Sequence, residues 1–326
     1  MNQVGNEKRC SPPLSVSLNQ LLVVILLIVL ANLAYVADVH RTGLAGSKKA
    51  VAPSKPGKPH HLFTIYGKPD RLLKSPMAVY VGTEGKIYVA STGSHEIQVF
   101  HPDGEYAFSF GQKGTLPGSF TFPYGITADE KGRLYVAETG NGRIQQFSPE
   151  GQFMAITAGR GTAIKVEKPG PLFYQRGRLY IGDLIQQQVI VLQPDRAPLK
   201  LPASYPHGIT VDEDGSIYVV EAGTSRITRF NQAGQRLSRI EQWHLKAGLS
   251  VLRGLARDGA GRLYLVDSMA STIVVFDQMG RYMFNFGLKG FEEGQFLFPT
   301  GIFIDQKDRI YVADWANNRV QVWGYN

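Results

Sequence analysis

Apolar and polar residues alternate along much of this chain in runs of about five residues, and short turns separate the runs. Residues 124–128 form one such run, and residues 133–137 and 143–147 form the next two. The connecting segments contain glycine, which adopts positive φ at little cost. A spacing of two between apolar residues indicates strands, whereas a helical repeat would space them by three and four. The pattern therefore predicts short antiparallel strands joined by tight turns.

One short motif recurs six times. It consists of an apolar residue, Tyr, then two or three small or β-branched residues, usually followed by an acid. The copies centre on Tyr88, Tyr135, Tyr180, Tyr218, Tyr264 and Tyr311. The intervals between these tyrosines are 47, 45, 38, 46 and 47 residues, a period that marks a repeat architecture. Each period supplies four strands, as a propeller blade does. We therefore predict an all-β fold, a six-bladed β-propeller with four antiparallel strands per blade.

The last repeat carries the most informative residues. Its three segments, 299–305, 309–314 and 318–323, closely resemble the NHL repeat, and segments 111–120 and 287–296 resemble the long connections of that family. The resemblance covers about residues 60–326. The third copy, which begins near residue 169, departs from the family's Pro-x-Gly-Ile opening. The resemblance implies a propeller that presents a binding surface, and NHL propellers bind many kinds of partner.

The last repeat ends after its third strand, close to the C-terminus. The strand that it lacks is present before the first repeat, where residues 61–67 resemble residues 282–287. We expect the strand at residues 62–66 to pair with residues 319–323 in the last blade. This pairing would close the ring and remove exposed sheet edges.

The N-terminal part differs in composition from the repeats. Residues 18–39 are almost entirely apolar, and 22 residues of helix span roughly 33 Å, enough to cross a bilayer. The sequence predicts an N-terminal tail (1–17), an uncleaved transmembrane anchor (18–39), a flexible basic linker (40–59) and the propeller (60–326). Two alternatives stay open, a cleaved signal peptide and a buried soluble helix. A signal peptide fits less well because cleavage after Ala37 would place Tyr35 where a small residue is needed.

The formal net charge of +8 is unevenly distributed. Residues 1–58 hold seven Lys and Arg against two acids, so the propeller itself is close to neutral. A basic nucleic-acid footprint is therefore not indicated. We expect a single-pass membrane protein with the propeller outside the cytoplasm. The cytoplasmic orientation also stays open, because the positive charge that follows the apolar segment favours it.

Strand direction predicts where a ligand would bind. The start of the first strand and the end of the second strand of each blade lie on one face, around one mouth of the central channel, and a concave mouth with convergent polar groups is the default binding site. The first-strand ring consists of Met77, Tyr124, His207, Arg253 and Thr300. The second-strand ring consists of Ser91, Glu138, Asp183, Glu221, Asp267 and Asp314.

Most acids of the second-strand ring have a structural explanation. In three blades an Arg follows the acid by five residues, which places it beside the acid at the start of the third strand; the pairs are Glu138 with Arg143, Glu221 with Arg226, and Asp314 with Arg319. Asp183 and Asp267 lack that Arg, which makes them the better candidates for contact with a ligand or a cation.

The function predicted is a membrane-tethered scaffold that binds a protein or polymer of the cell envelope with its channel-mouth face. The alternative is an enzyme of the lactonase- or lyase-like kind, with a divalent cation in the channel. Zinc usually needs three protein ligands, and His207 is the one histidine of the first-strand ring. The sequence therefore favours a binding protein without a cofactor, and it assigns no catalytic or metal-ligating residue.

Overall fold

The computed structural model describes residues 57–240 and 250–325. The predicted tail, anchor and most of the predicted linker lie outside the described residues. Within the part of the chain that is described, no helix is long and apolar enough to span a membrane.

The described residues form six four-stranded antiparallel sheets, which are the six blades, and two additional two-stranded sheets. In chain order, the N-terminal strands are β1 (His60–Ile65), β2 (Gly67–Lys68) and β3 (Arg71–Leu72). Blade one contains β4 (Pro76–Val81), β5 (Ile87–Ser91), β6 (Glu96–Phe100) and β7 (Tyr106–Phe110). Blade two contains β8 (Pro123–Ala128), β9 (Leu134–Glu138), β10 (Arg143–Phe147) and β11 (Phe153–Gly159). Blade three contains β12 (Pro169–Gln175), β13 (Arg178–Asp183), β14 (Gln188–Leu192) and β15 (Leu199–Pro202).

The second half of the propeller repeats the same pattern. Blade four contains β16 (Pro206–Val211), β17 (Ile217–Glu221), β18 (Arg226–Phe230) and β19 (Arg236–Ile240). Blade five contains β20 (Leu252–Arg257), β21 (Leu263–Asp267), β22 (Thr272–Phe276) and β23 (Tyr282–Phe286), and the short strands β24 (Leu288–Lys289) and β25 (Gln295–Phe296) follow it. Blade six contains β26 (Pro299–Ile304), β27 (Ile310–Asp314) and β28 (Arg319–Gly324). In the described residues, three short 3-10 helices follow the second strands of blades one, four and six: Thr92–Ser94, Ala222–Thr224 and Trp315–Asn317. The predicted fold class is confirmed for the propeller.

The ring closes through the first strand of the propeller. Strand β1 pairs antiparallel with β28, and the sheet order β1-β28-β27-β26 makes β1 the fourth strand of blade six. This is the pairing that the incomplete last repeat predicted. The N-terminal strand β1 therefore covers the edge that β28 would otherwise expose, as closure of the ring requires.

The core lies between neighbouring blades. The third-strand residues Phe100, Phe147, Phe230 and Phe276 are each at most 2% exposed. One hydrophobic cluster joins Val79 and Phe100 of blade one with Tyr311 of blade six. Burying an aromatic or aliphatic side chain contributes about 1.5–3 kcal/mol, so the repeated Phe and Tyr positions account for much of the blade-to-blade packing.

Blade three follows the common register despite its divergent sequence. Pro169 pairs with Asp183, just as Pro123 pairs with Glu138 in blade two. Gly170 therefore occupies the position that corresponds to Tyr124 in the first-strand ring. The sequence did not reveal this because Pro171 stands where the other blades mostly have glycine.

Candidate binding site at the channel mouth

Glycines in the first strands bring the blades close together around the central channel. A Cβ atom on Gly208 would lie 2.6 Å from the carbonyl oxygen of Arg253, and one on Gly254 would lie 2.7 Å from that of Thr300. Gly125 approaches the carbonyl oxygen of Gly170 in the same way, at 2.3 Å. Glycine is needed at these positions because real Cβ atoms do not approach backbone atoms so closely. The side chains that precede these glycines consequently stand side by side at the mouth.

The central channel encloses about 960 Å³. Four predicted residues line it: Met77, Tyr124, His207 and Thr300. A second pocket of about 310 Å³ shares Tyr124 and His207 with the channel and adds Arg253. All five predicted residues of the first-strand ring therefore line one of these two cavities.

Three residues of the first-strand ring, Tyr124, His207 and Arg253, form a connected polar cluster. The hydroxyl of Tyr124 lies 2.8 Å from Nδ1 of His207. Nη1 of Arg253 lies 3.1 Å from Nδ1 and 3.3 Å from Nε2 of the same imidazole. Tyr124 belongs to blade two and His207 to blade four. They can meet because Gly170 contributes only backbone to the ring between them.

The imidazole of His207 is neutral at physiological pH. Burial lowers its pKa to about 3, and the positive charges of Arg253 and Lys168 act in the same direction. Burial also raises the pKa of Tyr124, an effect that Arg253 opposes. A neutral imidazole carries its proton on one ring nitrogen and accepts a hydrogen bond at the other. The cluster thus offers hydrogen-bond donors and one permanent positive charge, and no negative charge.

The smaller cavity, called here the basic pocket, is lined by Tyr124, Lys168, Ile185, Tyr205, His207 and Arg253 together with Thr139 and Leu184. Tyr205 is 49% exposed and Ile185 is 58% exposed. The pocket therefore combines two cations with an apolar wall at the rim.

Two residues of the basic pocket that the sequence analysis missed, Lys168 and Tyr205, each directly precede the proline that opens a first strand. The corresponding residue in blade two is Phe122, which is 49% exposed. Phe122 and Tyr205 both have positive φ, at 54° and 49°, which is rare for aromatic residues. A comparison of the residues that precede each first strand would have identified this outer rim.

Thr300 and Met77 lie where the last blade meets the first. The Thr300 hydroxyl is buried and donates a hydrogen bond to the carbonyl oxygen of Pro76, at 3.1 Å. Thr300 thus holds blade six against blade one, and its side chain is occupied by this contact. Met77 is half-buried and lines the channel.

Asp183 and Asp267 are fully buried and have partners within the protein. The carboxylate of Asp183 accepts hydrogen bonds from four backbone N–H groups, those of Glu167, Lys168, Ile185 and Gln186. Asp267 accepts from the Ser250 hydroxyl and from the N–H of Ala270. Neither residue lines the channel or the basic pocket. Asp183 organises the loop that carries Lys168 to the rim, so its geometry favours a structural role.

The three predicted ion pairs of the second-strand ring are confirmed. The N–O distances are 2.6 Å for Arg143 with Glu138, 2.6 Å for Arg226 with Glu221, and 2.8 Å for Arg319 with Asp314. Arg319 also donates to the carbonyl oxygens of Glu292 and Gln295, which lie in the long connection before blade six. The pair of Asp314 and Arg319 therefore fixes this connection to blade six.

The residues at the mouth do not fit a divalent cation. Among the described residues, no group of three or more His, Cys, Asp or Glu side chains is arranged to hold a metal ion. His207 is the one histidine of the first-strand ring, which contains no Cys, Asp or Glu, and the guanidinium of Arg253 lies against both of its ring nitrogens. A positive charge at that distance would repel a metal ion.

Comparison with known families agrees with the architecture. The NHL repeat model matches residues 120–147 and 204–230, and a model described as a six-bladed β-propeller matches residues 255–325. The resemblance to NHL repeats is thereby confirmed, and this chain is a six-bladed propeller that carries them. Protein brain tumor of Drosophila melanogaster is 27% identical over 181 residues, which is 55% of this chain and 14% of that protein. The match therefore spans a small part of that relative's length.

Solved structures of similar shape include enzymes. Virginiamycin B lyase from Staphylococcus aureus has a TM-score of 0.58 at 16% identity, with 82% of this chain and 99% of that chain covered. A gluconolactonase from Xanthomonas campestris has a TM-score of 0.61 at 17% identity, with coverages of 78% and 86%. A Bacteroides thetaiotaomicron protein of unknown function has a TM-score of 0.62 at 14% identity, with coverages of 83% and 73%. At these identities the similarity shows the fold alone.

Proposed function

We propose that this protein is a membrane-tethered binding scaffold whose propeller engages a protein or polymer partner of the cell envelope at the channel mouth. The observation that carries the proposal is the convergence of Tyr124, His207 and Arg253 beside the exposed aromatic residues Phe122 and Tyr205. Tyr and Arg contribute strongly to binding energy at protein interfaces. The NHL repeats support a binding role, because repeat scaffolds present extended surfaces.

The test compares the two ends of the channel. Full-length protein is used to capture partners from solubilised membranes, and the double variant His207→Ala with Arg253→Ala is compared with Arg257→Ala with Gln306→Ala. The control pair lines the opposite end of the channel and also removes one cation and one neutral polar side chain. We expect the mouth variant to lose the partner and the control to retain it. The reverse result would mean that the partner binds the opposite face.

Membrane tethering is supported by the sequence of residues 18–39. Burying about 20 apolar residues in a bilayer binds a protein far more firmly than surface charge does. We expect the full-length protein to stay in the membrane fraction after carbonate extraction, and the variant Ile25→Lys with Ile28→Lys to be released. Recovery of the unaltered protein in the soluble fraction would contradict the anchor.

The proposed orientation places the propeller outside the cytoplasm. A large domain can follow an N-terminal anchor across the membrane despite flanking positive charge. Protease added to intact cells should then remove the propeller. Complete protection in intact cells, with cleavage after the cells are opened, would favour the cytoplasmic orientation.

The alternative function is a lactonase- or lyase-like enzyme with a divalent cation in the channel. Its support is the shared fold of the lyase and the gluconolactonase. The donor set at the mouth does not fit such an ion, so the scaffold is the better-supported function. Metal analysis of the purified protein discriminates between the two. A stoichiometric divalent ion that is lost in His207→Ala would favour the enzyme.

A further inference from the structure

Arg253 is a cation without a carboxylate partner among the described residues. Its guanidinium contacts the imidazole of His207 and the hydroxyl of Tyr124, neither of which is a carboxylate, and its buried Nε has no hydrogen-bond partner in the described part of the chain. Arg143 and Arg319, in contrast, are each neutralised by a buried acid. Keeping a partly buried charge unpaired costs free energy, and an anionic ligand would recover that cost.

Lys168 adds a second positive charge to the same pocket. Its backbone N–H is held by the carboxylate of Asp183 at 3.3 Å, and its side chain is exposed at the rim. No ion pair involves Lys168 within residues 57–240 and 250–325. Two cations thus face one cavity, the imidazole of His207 in it is neutral, and no Asp or Glu is among the residues that line it.

Part of the pocket lining is apolar. Ile185 and Leu184 follow the second strand of blade three, and Tyr205 precedes the first strand of blade four. Ile185 and Tyr205 are about half exposed, so a ligand that covered them would bury apolar surface worth about 25 cal/mol per Å². A single ligand group could reach the cations and this wall together because both line a cavity of about 310 Å³.

We propose that the basic pocket binds the C-terminal residue of a polypeptide, with the carboxylate at Arg253 and Lys168 and an apolar side chain against Ile185 and Tyr205. A chain end fits because it carries a carboxylate and an apolar side chain on one Cα atom. An internal acidic residue instead has its carboxylate in place of the apolar side chain. Arg binds carboxylates with paired, charge-assisted hydrogen bonds. This inference rests on the proposed function, since it identifies what the partner presents to the mouth.

The test titrates short probes into the purified full-length protein and measures binding by ligand-observed NMR. The probes are acetyl-Ala-Ala-Leu with a free carboxylate, the same peptide with a C-terminal amide, and inorganic phosphate. We expect saturable binding of the free acid below about 10 mM and about tenfold weaker binding of the amide, which equals about 1.4 kcal/mol. Arg253→Gln should abolish binding and Lys168→Gln should weaken it, whereas Arg257→Gln, at the other end of the same strand, should bind as the unaltered protein does.

Each of three results would overturn the inference. The acid and amide peptides could bind equally, the free acid could fail to saturate, or phosphate could bind as well as the free acid, which would indicate a general anion site. The proposed function is tested separately by partner capture. If the mouth double variant loses the partner while the free acid does not bind the unaltered protein, the scaffold stands and this ligand class is wrong.

Discussion

Two rings of residues surround the same channel mouth, and their arginines have opposite environments. Arg319, at the start of the third strand of blade six, is 3% exposed and binds Asp314, a fully buried member of the second-strand ring. In the first-strand ring, Arg253 contacts the neutral imidazole of His207 instead. Arg319 is directly opposite Asp314 in the sheet, whereas Arg253 lies on a first strand at the channel mouth.

The comparison separates residues that hold the propeller together from residues that are free to bind. A charge that is neutralised inside the protein contributes to assembly, whereas a charge without an internal carboxylate partner can attract a ligand. Substitutions in the second-strand ring should therefore reduce stability, and substitutions in the first-strand ring should reduce binding.

The largest loss of stability is expected for Arg319→Ala. It leaves Asp314 buried and unpaired and removes two hydrogen bonds to the connection before blade six, so the free energy of unfolding should fall by about 3–5 kcal/mol. Urea denaturation measures the change. Arg281→Ala is the control, because its pair with Asp277 is exposed and should contribute little. Equal losses in the two variants would show that burial does not distinguish these pairs.

A smaller loss is expected for Gly254→Ala, next to Arg253 in the chain. The added Cβ would lie 2.7 Å from the carbonyl oxygen of Thr300, so blades five and six must separate, which costs about 1–3 kcal/mol. Gly259→Ala is the matched control, since its Cβ would lie 3.5 Å from the Asp308 carboxylate, an ordinary contact. A Gly254→Ala protein as stable as the control would show that the first strands do not depend on this close approach.

His207 should make stability depend on pH below its ordinary pKa. The unfolded chain takes up a proton near pH 6.5, whereas the folded protein resists protonation until the pKa of about 3. The protonation of His207 therefore does not affect the free energy of unfolding above about pH 6.5. Below that pH it lowers the free energy of unfolding progressively as the pH falls toward 3. His207→Gln should reduce this loss, measured as the urea midpoint between about pH 7 and pH 4. His101→Gln is the control, because His101 is exposed and lies outside the channel. If the urea midpoint changed with pH equally in His207→Gln and in the unaltered protein, His207 would not be a buried, neutral imidazole.

The smallest effect on stability is expected for Arg253→Ala, although it should abolish partner binding. No carboxylate among the described residues is left unpaired by this change, so the free energy of unfolding should change by less than about 1 kcal/mol. Urea denaturation and partner capture, measured on the same preparation, test both expectations. A loss of stability as large as that of Arg319→Ala would assign Arg253 to the structural residues.

Much of the propeller could be predicted from the sequence because its signals are local. The alternation of apolar and polar residues predicts strands, and the six copies of the Tyr motif predict six blades. The incomplete last repeat predicts the pairing of β1 with β28. The ion pairs were also predictable, because a separation of five residues across a tight turn places Arg319 directly opposite Asp314.

The candidate site required the tertiary structure because its members come from different blades. Tyr124 and His207 are 83 residues apart, and His207 and Arg253 are 46 apart. Their contact depends on the close packing of the first strands and on the register of blade three, where Gly170 contributes no side chain. The low pKa of His207 and the internal partners of Asp183 follow from burial, which depends on every neighbouring blade. Sequence by itself therefore determined the strands, the blade number and the ion pairs within a blade. Only the closed ring decided which side chains of different blades meet at the mouth, because contacts between blades have no fixed spacing along the chain.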